Sequence, residues 1–180
     1  ALPLIVPVNE GIGYPVEESH PGLGRMIAYG GHGICMGFFG VAEDKTGAGW
    51  MCVLETPDDA AMNAFRDAGG LWRAGPSWDA CRGDFGYTRK ARYVFFEKGG
   101  HVAMCKRYRQ HAKQIGLHVP FTEKVKRNPN IDLLIGAANI WRMGGGTDPV
   151  ELVKEMQSLG MDRLLWSAGG SAAEIKGLRE

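Results

Sequence analysis

The sequence lacks an excess of charge of either sign. Its 180 residues carry 21 Lys and Arg against 20 Asp and Glu, a formal net charge of +1, so no overall attraction to nucleic acid or to an anionic membrane is expected. It also lacks any apolar run that approaches the ~20 residues of a membrane-spanning helix. With 44% hydrophobic and 23% charged residues, the composition is that of a globular protein with one sizeable core, or one core and part of another.

The usual signatures of metal and nucleophile sites are missing as well. The cysteines form no C-x-x-C pair, the histidines form no H-E-x-x-H pattern, and no G-x-S-x-G is present. We therefore predict neither a metal site nor a cofactor. Cys35 and Cys52 lie in apolar, strand-like runs, where a free cysteine usually behaves as a small hydrophobic side chain, although a disulfide remains an alternative. The widely spaced residues of both types are Cys35, Cys52, Cys81, Cys105, His20, His32, His101, His111 and His118.

A pair of carboxylic acids placed for glycoside hydrolysis is not visible in the sequence. Asp148, Glu151 and Glu174 are explained by helix capping, because each stands at a predicted helix start or three residues after one. Glu123 precedes Lys124 and is most simply part of a surface ion pair. The sequence therefore assigns no catalytic residue.

The first half of the sequence is patterned as β-structure. Alternating apolar residues and turn-forming boundaries predict three strands, at 34–41, 49–55 and 92–97. In the second strand, Trp50, Cys52 and Leu54 share one face. Met51 and Val53 share the other face.

Two segments between these strands have different local signals. Residues 56–59 read Thr-Pro-Asp-Asp, a capped helix start that predicts a short helix through about Phe65. Residues 69–86 are rich in Gly, Pro and Trp and predict an irregular loop.

The second half changes to helical periodicity. Residues 101–115 carry a stripe with three- and four-residue spacing, which predicts a helix that Gly116 ends. The stripe consists of Cys105, Tyr108, Ala112 and Ile115. Basic residues fill the other faces without interleaved aromatic residues, so we expect a solvated surface and no nucleic-acid partner.

Strands and helices then alternate. Apolar strands are predicted at 137–141 and 163–167, and capped helices begin at Asp148 and Ser171. Such alternation predicts parallel β/α units. The glycines of the loop before Asp148, Gly144 to Gly146, favour a phosphate site only weakly, because no lysine follows them and the proline after Asp148 removes a helix N–H group.

Two tryptophans are the candidate binding residues. Trp141 and Trp166 are predicted at equivalent positions, each at the carboxyl end of a strand, where barrel enzymes contact their substrates. An indole offers a flat apolar face to a pyranose and an N–H group to a hydroxyl. Arg142 and Ser167, one residue further along, add polar contacts. Packing between strand and helix is the alternative role for both tryptophans.

Several motifs occur in an order that is typical of a known enzyme group. They are residues 54–60 (LETPDDA), 86–93 (GYTRKARY), 105–116 (CKRYRQHAKQIG), 123–124 (EK), 128–129 (NP) and 136–141 (GAANIW). In this order the chain resembles glycoside hydrolases related to endo-α-N-acetylgalactosaminidases. The resemblance implies a mutarotase-like β-sandwich that leads into a (β/α)₈ barrel, with the catalytic acids on later barrel strands beyond residue 180. It also favours an extracytoplasmic location, which the sequence itself leaves open.

The predicted fold class is therefore α/β. Residues 1–98 are expected to be the C-terminal part of a β-sandwich, 99–131 a linking helix and loop, and 132–180 the start of a truncated (β/α)₈ barrel. The expected function is that of a glycoside hydrolase fragment, inactive by itself, that contacts a carbohydrate substrate and neither nucleic acid nor membrane. The alternative is a non-catalytic carbohydrate-binding or scaffold protein.

Overall fold

The computed structural model describes residues 2–8, 12–14, 24–29, 33–80, 83–141, 148–167 and 171–178. The chain forms two compact units, Ala1–His118 and Val119–Glu180. Strands dominate the first unit, and the second contains short helices and two short strands. The chain is thus a mixed α and β protein in which most strands precede the helices.

The strands of the first unit form two antiparallel sheets. A five-stranded sheet has the order β2-β1-β4-β5-β8, and a three-stranded sheet has the order β3-β6-β7. The bounds are β1 (Leu4–Val6), β2 (Ile12–Tyr14), β3 (Gly24–Ile27), β4 (Phe38–Ala42), β5 (Gly49–Leu54), β6 (Ala60–Arg66), β7 (Trp72–Trp78) and β8 (Ala91–Phe96). The predicted strands at 49–55 and 92–97 are confirmed as β5 and β8, with ends that differ by one residue. The strand predicted at 34–41 is confirmed only in its second half, because β4 begins at Phe38.

The two sheets pack face to face, as in a β-sandwich. Phe39, Cys52 and Leu54 of the larger sheet bury their side chains against Ala60 and Met62 of the smaller sheet. Complete burial of a side chain the size of leucine or phenylalanine stabilises a fold by about 1.5–3 kcal/mol. The interior of the sandwich is therefore the first of two cores in this unit.

Helix α1 (Gly100–Gln114) covers the other face of the larger sheet. Met51 and Val53 of β5 pack there against Met104 and Tyr108 of the helix. The predicted assignment of the two faces of β5 is thus confirmed, because Cys52 and Leu54 belong to the first core. Since α1 completes a core of the first unit, that unit continues to His118; the boundaries at residues 98 and 131 stay predictions.

The predicted helix 101–115 is confirmed, but its buried face is displaced. Met104 and His111 are buried in the structure, whereas Cys105 and Ile115 are exposed. Tyr108 and Ala112 are shared by the predicted and the observed stripe. A polar residue can lie on the buried face here because His111 has a hydrogen-bond partner in the sheet below it.

The short helix predicted through Phe65 is wrong, because strand β6 occupies that segment. The Thr56 hydroxyl does not cap a helix; it accepts a hydrogen bond from the Lys90 backbone N–H at 3.1 Å. Asp59 adopts a left-handed conformation with φ 56°, which no helix can continue through. Pairing of β6 with strands on both sides therefore outweighs the local capping signal.

The loop predicted at 69–86 is also wrong in part, because it contains β7. Proline cannot donate to a sheet, so it is tolerated on edge strands. Pro76 lies on β7, which is one of the two edge strands among the described residues of the smaller sheet. The Trp78 Nε1–H group anchors the end of this strand by donating to the Thr56 carbonyl at 2.8 Å.

The described residues of the second unit include two strands, each followed along the chain by a helix. Its elements are α2 (Phe121–Arg127), a 3₁₀ helix (Pro129–Leu134), β9 (Ala138–Ile140), α3 (Pro149–Ser158), β10 (Leu164–Trp166) and α4 (Ala172–Gly177). The predicted helix starts are confirmed. Asp148 Oδ1 accepts from the Val150 N–H at 2.8 Å, and Ser171 and Glu174 form a reciprocal capping box. Within the described residues, no helix has the length and apolar character needed to cross a bilayer.

Strands β4 and β5 approach so closely at Gly40 that we expect a larger residue there to destabilise the protein. A Cβ atom at Gly40 would lie 2.3 Å from the Trp50 carbonyl oxygen and 2.9 Å from Met51 Cα, so Gly40→Ala must push the strands apart. We expect a loss of about 1–3 kcal/mol in the free energy of unfolding, measured by urea denaturation. Gly75→Ala on β7 is the matched control, since nothing lies within 4 Å of its added methyl group. Equal losses in the two variants would contradict this account.

The buried His111 predicts how the stability of the fold depends on pH. The Arg92 guanidinium lies 3.2 Å from His111 Nδ1, and because a guanidinium can only donate, that nitrogen accepts and the ring is neutral. Burial lowers the pKa of His111, and the charge of Arg92 lowers it further, whereas Glu55 raises it. The unfolded chain then binds the proton at a higher pH than the folded chain does, so stability falls as the pH drops below about 6.5.

His111→Gln keeps an acceptor for Arg92 but cannot titrate. We expect its free energy of unfolding to decline less than that of the wild type between about pH 7 and pH 5, in denaturation curves recorded along that range. His101→Gln, at an exposed position of the same helix, is the control and should decline like the wild type. A wild-type slope in His111→Gln would show that other groups cause the acid loss.

Candidate functional site at the ends of two parallel strands

Strands β9 and β10 are parallel, so their carboxyl ends lie side by side. Ile140 is the register partner of Trp166, and the Ser167 N–H donates to the Ile140 carbonyl at 2.9 Å. At the opposite ends, the Arg163 guanidinium donates to the backbone carbonyls of Asp132 and Ile135, at 3.3 and 3.1 Å. The first contact joins the carboxyl ends, which lead toward α3 and α4, and the Arg163 contacts hold the amino ends.

The register corrects one prediction about the tryptophans. Trp166 is paired with Ile140, so the residue equivalent to Trp141 is Ser167 rather than Trp166. The expectation that the two indoles occupy equivalent positions is therefore wrong by one residue. Successive side chains of a strand point to opposite faces. An offset of one residue therefore places the two indoles in different surroundings.

The two tryptophans differ in exposure as well. Trp141 is 69% exposed, which leaves its ring free to stack against a ligand. Trp166 is half-buried, like Leu164 and Ile140 on the same face of the strand pair. Of the two, Trp141 has the geometry of a ligand contact, and Trp166 has the surroundings of a packing residue.

Asn139 joins the site, although the sequence reasoning did not single it out. Its Oδ1 accepts a hydrogen bond from the Ser167 hydroxyl at 2.6 Å, across the two strands. Both residues lie on the face opposite Ile140 and Trp166. Since its oxygen accepts this bond, Asn139 has its amide N–H groups as donors for a ligand. The signal that could have revealed it is a polar residue in the middle of an apolar strand.

Some predicted features lie outside the described residues. Arg142 and the glycines from Gly144 to Gly146 are among them, so their proposed contacts stay predictions. Among the residues that the structure describes, no three His, Cys, Asp or Glu side chains converge as a metal site would require.

The first unit has a cavity that the sequence did not predict. It measures about 750 Å³ and opens between the two sheets, with Trp50, Phe65 and Trp72 among its walls. No carboxylate, thiol or imidazole is present among the described residues that line it. Its walls therefore lack the groups that general acid–base or nucleophilic chemistry would need.

Comparisons with known proteins identify a fold relative. No protein-family model and no curated protein matches the sequence. The ligand-free α-N-acetylgalactosaminidase NagBb from Bifidobacterium bifidum superposes with a TM-score of 0.69 and 21% identity, over 92% of this chain and 32% of that chain. This chain is similar in fold to part of NagBb.

Two ligand-bound structures of NagBb give the same result. Its complex with GalNAc has a TM-score of 0.68 at 21% identity, and its complex with Gal-NHAc-DNJ has a TM-score of 0.68 at 20% identity. They cover 92% of this chain and 31% and 30% of NagBb, respectively. The chain thus spans about a third of the length of the protein that it resembles. At this level of identity the likeness shows that the chain shares the fold of part of NagBb.

Proposed function

We propose that this chain forms part of a glycoside hydrolase that acts on a glycan. The observation that carries the proposal is the parallel strand pair β9 and β10, with an exposed indole and a polar Asn139–Ser167 pair at its carboxyl ends. In β/α enzymes, substrates bind at these strand ends. The similarity in fold to NagBb, whose name describes an α-N-acetylgalactosaminidase, supports the same function.

In this proposal, β9 with α3 and β10 with α4 are the first two units of a (β/α)₈ barrel. Two parallel strands cannot close a barrel, so the remaining units must come from other polypeptide. Trp141, Arg142 and Ser167 are the proposed substrate-contacting residues, and Trp141 is the principal one because of its exposure. Trp166, which is half-buried on the other face of the strand pair, is the weakest of the four predicted contacts. The catalytic acids lie outside residues 1–180.

The alternative is a non-catalytic carbohydrate-binding or scaffold protein. The observation in its favour is that the described residues of β9 and β10 carry no carboxylate, whereas glycoside hydrolysis usually requires two. An exposed indole and amide donors are sufficient for binding alone. Binding of a glycan by the full-length protein without hydrolysis would favour this alternative.

The coding sequence after Glu180 provides a direct test. We expect several further strand–helix repeats, with Asp or Glu at the carboxyl ends of some strands, because a barrel needs eight units and the reaction needs two acids. Sequencing the gene downstream of this segment measures this. A stop codon directly after Glu180 would exclude the barrel and, with it, the hydrolase.

Trp141→Ala tests the substrate contact in the full-length protein. Loss of a stacking surface worth about 0.5–1.5 kcal/mol should weaken glycan binding roughly 2- to 12-fold. The loss should be seen as a higher KM for a chromogenic α-N-acetylgalactosaminide, with a smaller change in kcat. Leu159→Ala is the matched control. Leu159 is 72% exposed and caps the end of α3, which in a β/α unit lies at the opposite ends of the strands.

Both substitutions remove an exposed apolar side chain, so neither should change the thermal unfolding curve appreciably. Equal effects of the two variants on KM would refute a specific contact at Trp141. If the wild-type full-length protein neither binds nor hydrolyses any glycan, α-N-acetylgalactosaminides included, the proposed function is wrong.

A further inference from the structure

A cavity of about 550 Å³ in the first unit brings two cysteines together. One wall is the helical stripe of α1 with the spacing i, i+3, i+4 and i+7, formed by Cys105, Tyr108, Arg109 and Ala112. The segment that leads into β4 forms the facing wall and contributes Cys35 and Met36. Tyr29 and the turn after the helix complete the lining. A thiol therefore faces the same cavity from each wall.

Hydrogen bonds fix the distance between the two walls. The Gly37 N–H donates to the Tyr108 hydroxyl at 3.1 Å, and the hydroxyl groups of Tyr29 and Tyr108 are hydrogen-bonded to each other. Cys105 precedes Tyr108 by one helical turn, and Cβ atoms at that spacing are roughly 5–6 Å apart. Cys35 precedes Gly37 by two residues. The backbone positions of the two cysteines are thus close, along the chain, to the two residues that this interwall hydrogen bond joins.

The surroundings of the two sulfur atoms agree with this placement. Cys35 Sγ donates to the Pro7 carbonyl at 3.0 Å, a hydrogen bond that a disulfide at Cys35 would replace. Burial raises the pKa of Cys105, a hydrogen bond with its own backbone lowers it, and the charge of a Cys35 thiolate raises it. Both side chains are nevertheless accessible to solvent.

Cys52 shows the opposite environment in the same unit. It is completely buried between the sheets, and burial raises its pKa to about 11. The thiolate is the reactive form of cysteine. Cys52 is therefore protected in two ways: its burial excludes reagents, and its raised pKa keeps it protonated. It serves as an internal reference for a thiol that should not react in the folded protein.

We propose that Cys35 and Cys105 are an oxidation site that forms a reversible disulfide between α1 and the segment before β4. With oxidised glutathione as the oxidant, one cysteine thiolate attacks a glutathione sulfur, forms a mixed disulfide and releases one glutathione thiolate. The second cysteine thiolate then attacks the protein sulfur of the mixed disulfide and releases the other glutathione. Two protein thiols are oxidised, and one glutathione disulfide is reduced to two thiols.

The cross-link would tie α1 covalently to the segment that leads into β4, and both pack around the second core of the unit. It closes a loop of about 70 residues that contains β4 to β8, so it restricts the unfolded chain strongly. The oxidised protein should therefore unfold at a higher temperature than the reduced protein. This inference is independent of the proposed glycan-related function, since it uses only contacts within the first unit.

The test is oxidation of the native, full-length protein with glutathione disulfide, followed by peptide mapping without reductant. We expect one peptide pair joined through Cys35 and Cys105, lighter than the separate peptides by two hydrogen atoms, and a higher melting temperature that returns to its starting value after reduction. Cys35→Ser and Cys105→Ser should each abolish both signals. Cys81→Ser should keep both, and Cys52 should stay unmodified.

Three outcomes would overturn the proposal. One is stable glutathione adducts on Cys35 and Cys105 in the wild type without a cross-linked pair, which would mean that the sulfur atoms do not meet. Another is a cross-link from either residue to Cys81. The third is no modification of either residue while denatured protein reacts fully.

Discussion

The first unit depends on one constraint, the register of β5 in its sheet. This strand lies between β4 and β8, and each of its faces belongs to a different core. Cys52 and Leu54 pack against the second sheet, while Met51 and Val53 pack against α1. A shift of one residue would exchange the two sets. Gly40 on the neighbouring strand allows β4 and β5 to approach closely, because its missing side chain leaves room for Trp50, Met51 and the end of Met104.

The second unit depends on local signals more than on burial. Its helices begin at side-chain caps that satisfy N–H groups of the first turn, but its strands are only three residues long and one face carries the exposed Leu165. A sheet of two short strands gains little stability by itself. This is a physical reason for expecting further strands beside β9 and β10, and it agrees with the proposed barrel.

The sequence predicted correctly the features that depend on residues close together in the chain, and it failed where residues far apart in the chain interact. The faces of β5 and the capped starts of α3 and α4 are set by neighbouring residues, and these predictions are confirmed. Strands β6 and β7 are set by pairing with distant segments, so the capping signal at Thr56 and the proline at Pro76 were misleading. For the same reason the candidate site could be placed at strand ends, while the one-residue offset between Trp141 and Trp166 depends on interstrand register.

The chemistry of the strand ends separates recognition from bond cleavage. Neither an amide nor a hydroxyl group titrates near neutral pH, so Asn139 and Ser167 can orient a glycan hydroxyl but cannot protonate a leaving group or form a glycosyl intermediate. An indole contributes contact area and one N–H donor, and it also transfers no proton. If this strand pair belongs to a hydrolase, its residues bind and position the sugar, and the acids must project from other strands toward the same end.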